Sequence, residues 1–180
     1  MLYIDQLTVG SIVVGAAPSP TPTPGPTPST RATTIITTTE DGAQEFDIEN
    51  LDMDWWASNG FFSYDDGWLK TITAIDTGTN LKHFYAFACA NMSTLTEISM
   101  TEGLITIGEF CFQNATGLTT LIIPSTVNDI GYAPFEGCSN LTSITFIGKT
   151  MAELENIEGS SDGGTYYPWG ISNTSIIHVA

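Results

Sequence analysis

The sequence predicts a mainly β fold: a short repeat solenoid of about three to four coils of 23–26 residues, with a β-hairpin and an aromatic cap on its N-terminal side. An extended N-terminal peptide and a Pro-rich spacer precede it. Three observations predict this. Leucine-led segments recur at regular spacing through the C-terminal half, prolines alternate through residues 17–30, and aromatic residues crowd the stretch between the two. The chain therefore divides into a peptide at 1–16, a spacer at 17–30, the hairpin and aromatic cap at 31–68 and the repeat domain at 69–180.

The repeats come first because they set the fold. LTEI at 95–98, LTTL at 118–121 and LTSI at 141–144 recur at one constant period, and LKTI at 69–72 begins a slightly longer unit before the first of them. Within units, IG at 107–108 matches IG at 130–131, and Phe87, Phe112 and Phe135 align at one position. An L-x-x-[LI]-x-apolar pattern with a period in the twenties is the leucine-rich-repeat signature. One strand turns Leu and Ile inward, the chain reverses, and Phe returns to close the coil on its neighbours.

Residues 122–146, IIPSTVNDIGYAPFEGCSNLTSITF, resemble the BspA-type leucine-rich repeat, I-P-x-x-V-x-x-I-G-x-x-A-F-x-G-C-x-N-L-x-x-I. Pro124, Val127, Ile130, Gly131, Phe135, Gly137, Cys138, Asn140 and Leu141 match it. The unit at 72–95 lacks the IG pair, and Ala133-Pro134 replaces the usual small residue before Phe135. The resemblance covers 69–180, including the final stretch. It implies a stacked repeat without catalytic residues, of a kind found on bacterial surfaces, in some protist parasites and in phages, with adhesion as the expected role.

In such strands the x positions face solvent. Here they are Thr71, Thr73, Glu97, Ser99, Thr120, Ile122, Ser143 and Thr145, a strip rich in hydroxyls that is the expected binding surface. Threonine is also simply a good exposed strand residue.

Ahead of the repeats, TTIITTTEDGAQEFDI reads as a β-hairpin around an Asp-Gly turn. Trp55, Trp56, Phe61, Phe62, Tyr64 and Trp68 then cluster, and the open end of a repeat array needs such a seal. A sugar-stacking surface is the alternative for those rings. Nine of the twenty carboxylates fall between Glu40 and Asp66, where there is no Lys or Arg. Asp52, Asp54, Asp65 and Asp66 are oxygen ligands suited to calcium, but the spacing that pre-arranges a calcium loop is missing. No cofactor or metal is expected, with calcium at 40–66 as the alternative.

Residues 1–16 are apolar and β-branched, and too few to fold alone. Leu2, Tyr3, Ile4, Leu7, Val9, Ile12, Val13 and Val14 are the expected docking residues for a protein partner: a capsid, portal or tail protein. The only early charge is Asp5, whereas a secretory signal opens with positive charge, so this stretch is not expected to be one. Six prolines at alternate positions from Pro18 to Pro28 favour a polyproline-II spacer, roughly 34 Å long at about 3.1 Å per residue.

Composition narrows the function. Arg31, Lys70, Lys82 and Lys149 face twenty acidic residues, a formal net charge of −16, which disfavours nucleic acid and anionic membrane as partners. Cys89, Cys111 and Cys138 are spaced too widely for a zinc site or a C-x-x-C redox pair, and read as buried thiols. His83 and His178 sit in no nucleophile–base motif, and no G-x-S-x-G, HExxH or P-loop occurs. The expected function is therefore a non-catalytic virion component of a bacteriophage, docked by its N-terminus. It would display its repeats to a host-surface glycan or protein, with oligomerisation open. A bacterial cell-surface adhesin is the alternative, and a glycan-acting enzyme the remote one.

Overall fold

The computed structural model describes residues 32–157 and 164–180, except Tyr64, Asp66, Leu69 and Tyr166. The expected docking peptide and spacer lie outside the described residues, as do Tyr64 of the aromatic run and Asp66 of the acidic stretch. The chain opens with a hairpin of β1 (Thr34–Thr38) and β2 (Gly42–Phe46), whose antiparallel register pairs Thr34 with Phe46 and Thr38 with Gly42. This is the hairpin expected around Asp41-Gly42, and Gly42 supplies the positive φ (70°) that its turn requires. Next come β3 (Asn50–Leu51), α1 (Met53–Ser58), and the small antiparallel pair of β4 (Phe62–Ser63) and β5 (Gly67–Trp68).

The repeats follow as β6 (Ile72–Asp76), β7 (His83–Phe84), β8 (Glu97–Ser99), β9 (Thr106–Ile107), β10 (Thr120–Ile123), β11 (Asp129–Ile130) and β12 (Ser143–Phe146). They end with α2 (Met151–Leu154) and β13 (Ile177–Val179). Pairing is parallel and follows the repeat: Ile75 lies beside Ile98, Leu121 beside Ile144, Phe84 beside Ile107, and Ile107 beside Ile130. Two strand faces result. One carries the sheets β2-β1-β6-β8 and β10-β12-β13, and the other carries β3-β7-β9-β11.

Between these faces the turn-rich segments bond to the next coil. Phe87, Cys89 and Asn91 donate their N–H groups to the carbonyls of Glu109, Cys111 and Gln113, and Phe110, Phe112 and Asn114 donate to those of Tyr132, Pro134 and Glu136. The chain can alternate this way because two residues per turn take positive φ: Phe87 with Asn91, Phe110 with Asn114, and Ala133 with Gly137.

Every coil sends the same positions into the core. Ile72, Leu95, Leu118 and Leu141 stack, as do Ile75, Ile98, Leu121 and Ile144, and Phe84, Ile107 and Ile130, all buried. Each such side chain contributes about 1.5–3 kcal/mol of burial.

Three alignments read from the sequence are corrected by the register. The first repeat is not a longer unit begun by LKTI: Ile72 and Ile75 occupy the places of Leu95 and Ile98, so the constant period extends to β6. Phe87 is not aligned with Phe112 and Phe135. Cys89 holds that buried place, whereas Phe87 aligns with Phe110 and is exposed. The IG pair missing from the first unit is replaced by Phe84-Tyr85, which stands opposite Ile107-Gly108.

Gly108 and Gly131 show why the later coils need glycine there. A Cβ on Gly108 would come within 2.6 Å of the Tyr85 carbonyl carbon, and one on Gly131 within 2.4 Å of the Glu109 nitrogen. Each points at the backbone of the coil before it.

The N-terminal segment continues both faces, with β1 pairing antiparallel to β6 and β3 parallel to β7. Among the described residues, the rings of Phe46, Trp55, Trp56 and Phe61 are packed rather than displayed. Trp56 and Phe61 are buried, their centroids 5.3 Å apart, with Trp55 and Phe46 against them. Trp56 donates its indole N–H to the Ala88 carbonyl (2.6 Å), tying α1 to the first repeat. At the other end Trp169 is buried against Phe146.

Candidate functional site

The register treats the eight strip residues unequally. It sets Ala74 and Asp76, not Thr71 and Thr73, beside Glu97 and Ser99. Thr73 belongs to another column, where Thr96 donates to its carbonyl as Thr142 does to that of Thr119. Thr120 lies beside Ser143, and Ile122 beside Thr145. Of the eight, Glu97 is exposed. Thr71, Thr73, Thr120, Ile122 and Thr145 are half-buried, and Ser99 and Ser143 are buried.

The outward alternation is seen in β10 but not in β8 or β12, where the short Ser99 and Ser143 side chains are buried beside their inward neighbours. At the N-terminal end this face opens into a shallow groove of about 410 Å³, lined by Ile35, Thr37, Ala74, Asp76, Glu97 and Ser99. Ile35 and Thr37 come from β1, which pairs Ile35 with Asp76 and Thr37 with Ala74.

The other face carries a column that the sequence reading misses. The first position of β7, β9 and β11 places His83, Thr106 and Asp129 side by side. His83 Nδ1 lies 3.0 Å from Thr106 Oγ1, and the Thr106 hydroxyl donates to Asp129 Oδ2 at 3.4 Å. With its proton on Nδ1, the imidazole donates to the hydroxyl and the hydroxyl passes a donor on to the carboxylate. Asp129 Oδ1 is buried without a hydrogen-bond partner. Burial pushes the Asp129 carboxyl above its ordinary value of 3.8, and the Thr106 hydroxyl and the nearby His83 hold that rise in check.

A groove of about 370 Å³ opens over the column, lined by His83, Tyr85, Ala86, Thr106, Gly108, Glu109 and Asp129. Tyr85 stacks on His83, centroids 5.8 Å apart and planes 13° from parallel, and is 45% exposed. Beyond it Phe87 stacks on Phe110 (5.2 Å), which meets Tyr132 edge-on (5.4 Å). The repeat period is the one signal in the sequence that could find this set, since His83, Thr106 and Asp129 are offset by one repeat each.

This set is not a nucleophile–base–acid triad. The hydroxyl of Thr106 stands in the middle, between imidazole and carboxylate, whereas a triad needs the imidazole in the middle.

Elsewhere polar groups are used structurally. Asp52 caps α1 by accepting from the Trp55 N–H at 2.7 Å, which occupies one of the acidic residues considered for calcium. Cys89 and Cys111 are fully buried and unpaired, and burial raises Cys111 well above the ordinary thiol value and Cys138 to about 11. These thiols pack as small hydrophobes. Among the described residues no helix is long and apolar enough to cross a membrane.

The family model described as BspA type leucine rich repeat region (6 copies) matches residues 63–160, more than half of the 180-residue chain. The chain belongs to the BspA-type leucine-rich repeat family. No curated protein matches it. A BspA-type repeat is generally a non-catalytic domain for binding proteins or surfaces, and the parallel columns on this chain provide the faces for such contacts.

Proposed function

We propose that this BspA-type chain is a non-catalytic binding module displayed on a bacteriophage virion. Residues 1–16 dock on a capsid, portal or tail protein, and residues 17–30 hold the repeats away from the particle. The repeats form a short solenoid, sealed at the N-terminal end by the Trp55–Trp56–Phe61 cluster, that meets a host-surface glycan or protein. The observation that carries this reading is the repeated column. The constant period brings equivalent outward side chains to strand spacing, about 4.8 Å apart, on two faces of one core.

Other features support it. Alternate prolines at 18–28 favour an extended spacer. Three unpaired thiols suit assembly in a reducing cytoplasm. A charge of −16 suits many copies held close together without self-association.

The test is location. Immunogold labelling with antibodies raised against residues 32–180 is expected on purified particles. Label confined to the bacterial envelope would instead assign the chain as a cell-surface adhesin. Deleting residues 1–30 should leave a folded domain that no longer joins the particle, and continued incorporation would sink the docking assignment.

A further inference from the structure

We infer that the groove over His83, Thr106 and Asp129 is a binding site for a neutral saccharide, with Tyr85 as its stacking platform. The inference rests on the reading of the chain as a displayed binding module, and it names the site and the ligand class.

The first argument is the aromatic surface. Tyr85 stands where the next two coils have Gly108 and Gly131, whose missing Cβ atoms let those coils close on their predecessors. The first coil escapes that constraint, because the chain before it leaves β3 at Leu51 and turns into α1. An aromatic ring is therefore present at the one coil where the stack has room for it. The ring lies at the groove, nearly parallel to the imidazole beneath it, and shows its outer surface to solvent. A flat exposed ring with one polar tip suits the apolar C–H face of a sugar.

The second argument is the polar set below. With its Nδ1 proton turned to Thr106, His83 leaves Nε2 as an acceptor, the Thr106 hydroxyl is taken up between its two neighbours, and Asp129 and Glu109 offer acceptors only. Asp129 is under-used, holding one hydrogen bond at 3.4 Å and one buried oxygen with no donor. Since Oδ1 is closed off from solvent, Oδ2 is the Asp129 atom that takes a hydroxyl donor from the groove, with the Glu109 carboxylate beside it.

Sugar hydroxyls donate to these acceptors while the C–H face of the ring meets Tyr85, so a saccharide matches both halves of the site. Acidic glycans are repelled by Glu109, Asp129 and the overall charge of −16. The volume, about 370 Å³, lies within the ordinary range for small-ligand pockets.

The experiment is binding of the full chain to an array of neutral and acidic glycans, with poly-L-lysine as a cationic control. Retention on neutral glycans is expected, weakened roughly tenfold or more in both Tyr85→Ala and Asp129→Ala, with melting temperatures confirming that both variants fold. Glu97→Ala, on the opposite strand face, should bind as the parent does. Asp129→Asn and Tyr85→Trp, which keep shape or ring, guard against a loss caused by misfolding: Tyr85→Trp should retain binding. No neutral glycan bound, binding only to poly-L-lysine, or binding that survives both alanine variants would overturn the site. Binding lost in Glu97→Ala but not in Tyr85→Ala would overturn it too, while leaving the display reading intact. Conversely, absence of the chain from particles would end the virion reading without touching the groove.

Discussion

The two strand faces obey the same repeat period and yet differ in what they expose. On the face built from β6, β8, β10 and β12, the outward columns change from coil to coil, from Ala74 to Glu97 to Thr120 to Ser143. On the face built from β7, β9 and β11, the outward residues are bonded to one another, His83 to Thr106 and Thr106 to Asp129. Inward, both columns are apolar and buried. The repeat therefore fixes the core and leaves the outward positions free to diverge, and one face uses that freedom to gather unlike polar groups into a connected row. A linked row of buried and half-buried polar groups that holds an unsatisfied oxygen is costly to folding, which is what a binding role would explain.

The largest effect that separates core from column is on a single strand. Ile107 is fully buried between Phe84 and Ile130, so Ile107→Ala should cost about 2–5 kcal/mol, read from urea unfolding of the full chain. Thr106→Ala, one residue away and also buried but turned to the polar row, removes the bonds to His83 and Asp129 and should cost about 1 kcal/mol. Equal losses at the two positions would erase the distinction between a structural inside and a functional outside.

Next in size is the glycine column. Gly108→Ala forces a methyl group against the backbone of Tyr85 and Ala86, and should cost about 1–3 kcal/mol by prising two coils apart. Tyr85→Ala, in the same column one repeat earlier, should change stability by only about 0.5 kcal/mol, since nearly half of that side chain is exposed. Comparable melting temperatures for Gly108→Ala and the parent would mean that the coils are not packed as closely as described.

Much of this arrangement is legible in the sequence, because the period is carried by residues with one job. Leu95, Leu118 and Leu141 face inward in every coil, and Gly108 and Gly131 mark close approach. The hairpin is legible for a similar reason: the positive φ where its turn enters β2 falls on Gly42. The first repeat is easily misplaced because Leu69 and Ile72 mimic the L-x-x-I spacing one step early, and only strand pairing with β8 decides between the frames. Phe87 misleads because a phenylalanine close to the expected place reads as the same residue shifted, whereas the buried place is taken by Cys89.

The polar column escapes for a different reason. His83, Thr106 and Asp129 form no local motif, and become neighbours only when the repeat is laid on itself at the correct frame. Asp52 shows the converse error. It reads as a calcium ligand by composition, but within the first turn of α1 the Trp55 N–H needs an acceptor, and the carboxylate supplies it. Asp52→Ala should therefore cost about 1 kcal/mol in the absence of any metal, and a parent protein whose melting point rises sharply with calcium would restore the ligand reading.

The smallest expected shift is the most informative about the column. Because burial raises the Asp129 carboxyl in the folded chain above its ordinary value of 3.8, the folded state favours the protonated form. The stability this group contributes is therefore fully present below that ordinary value and is lost as pH rises through the raised one. The substitution Asp129→Asn keeps an acceptor for the Thr106 hydroxyl and removes the charge that burial penalises. The variant should melt slightly above the parent at pH 7, and the two curves should converge as the pH falls below about 4. Subtracting the parent from the variant cancels the other carboxylates, which titrate in both. If the variant is more stable at pH 7 but binds more weakly, Asp129 is kept at a cost to folding, as a binding group would be. A variant that is less stable than the parent at neutral pH would show the carboxylate to be a structural part of the ladder, and the two faces would then differ in composition alone.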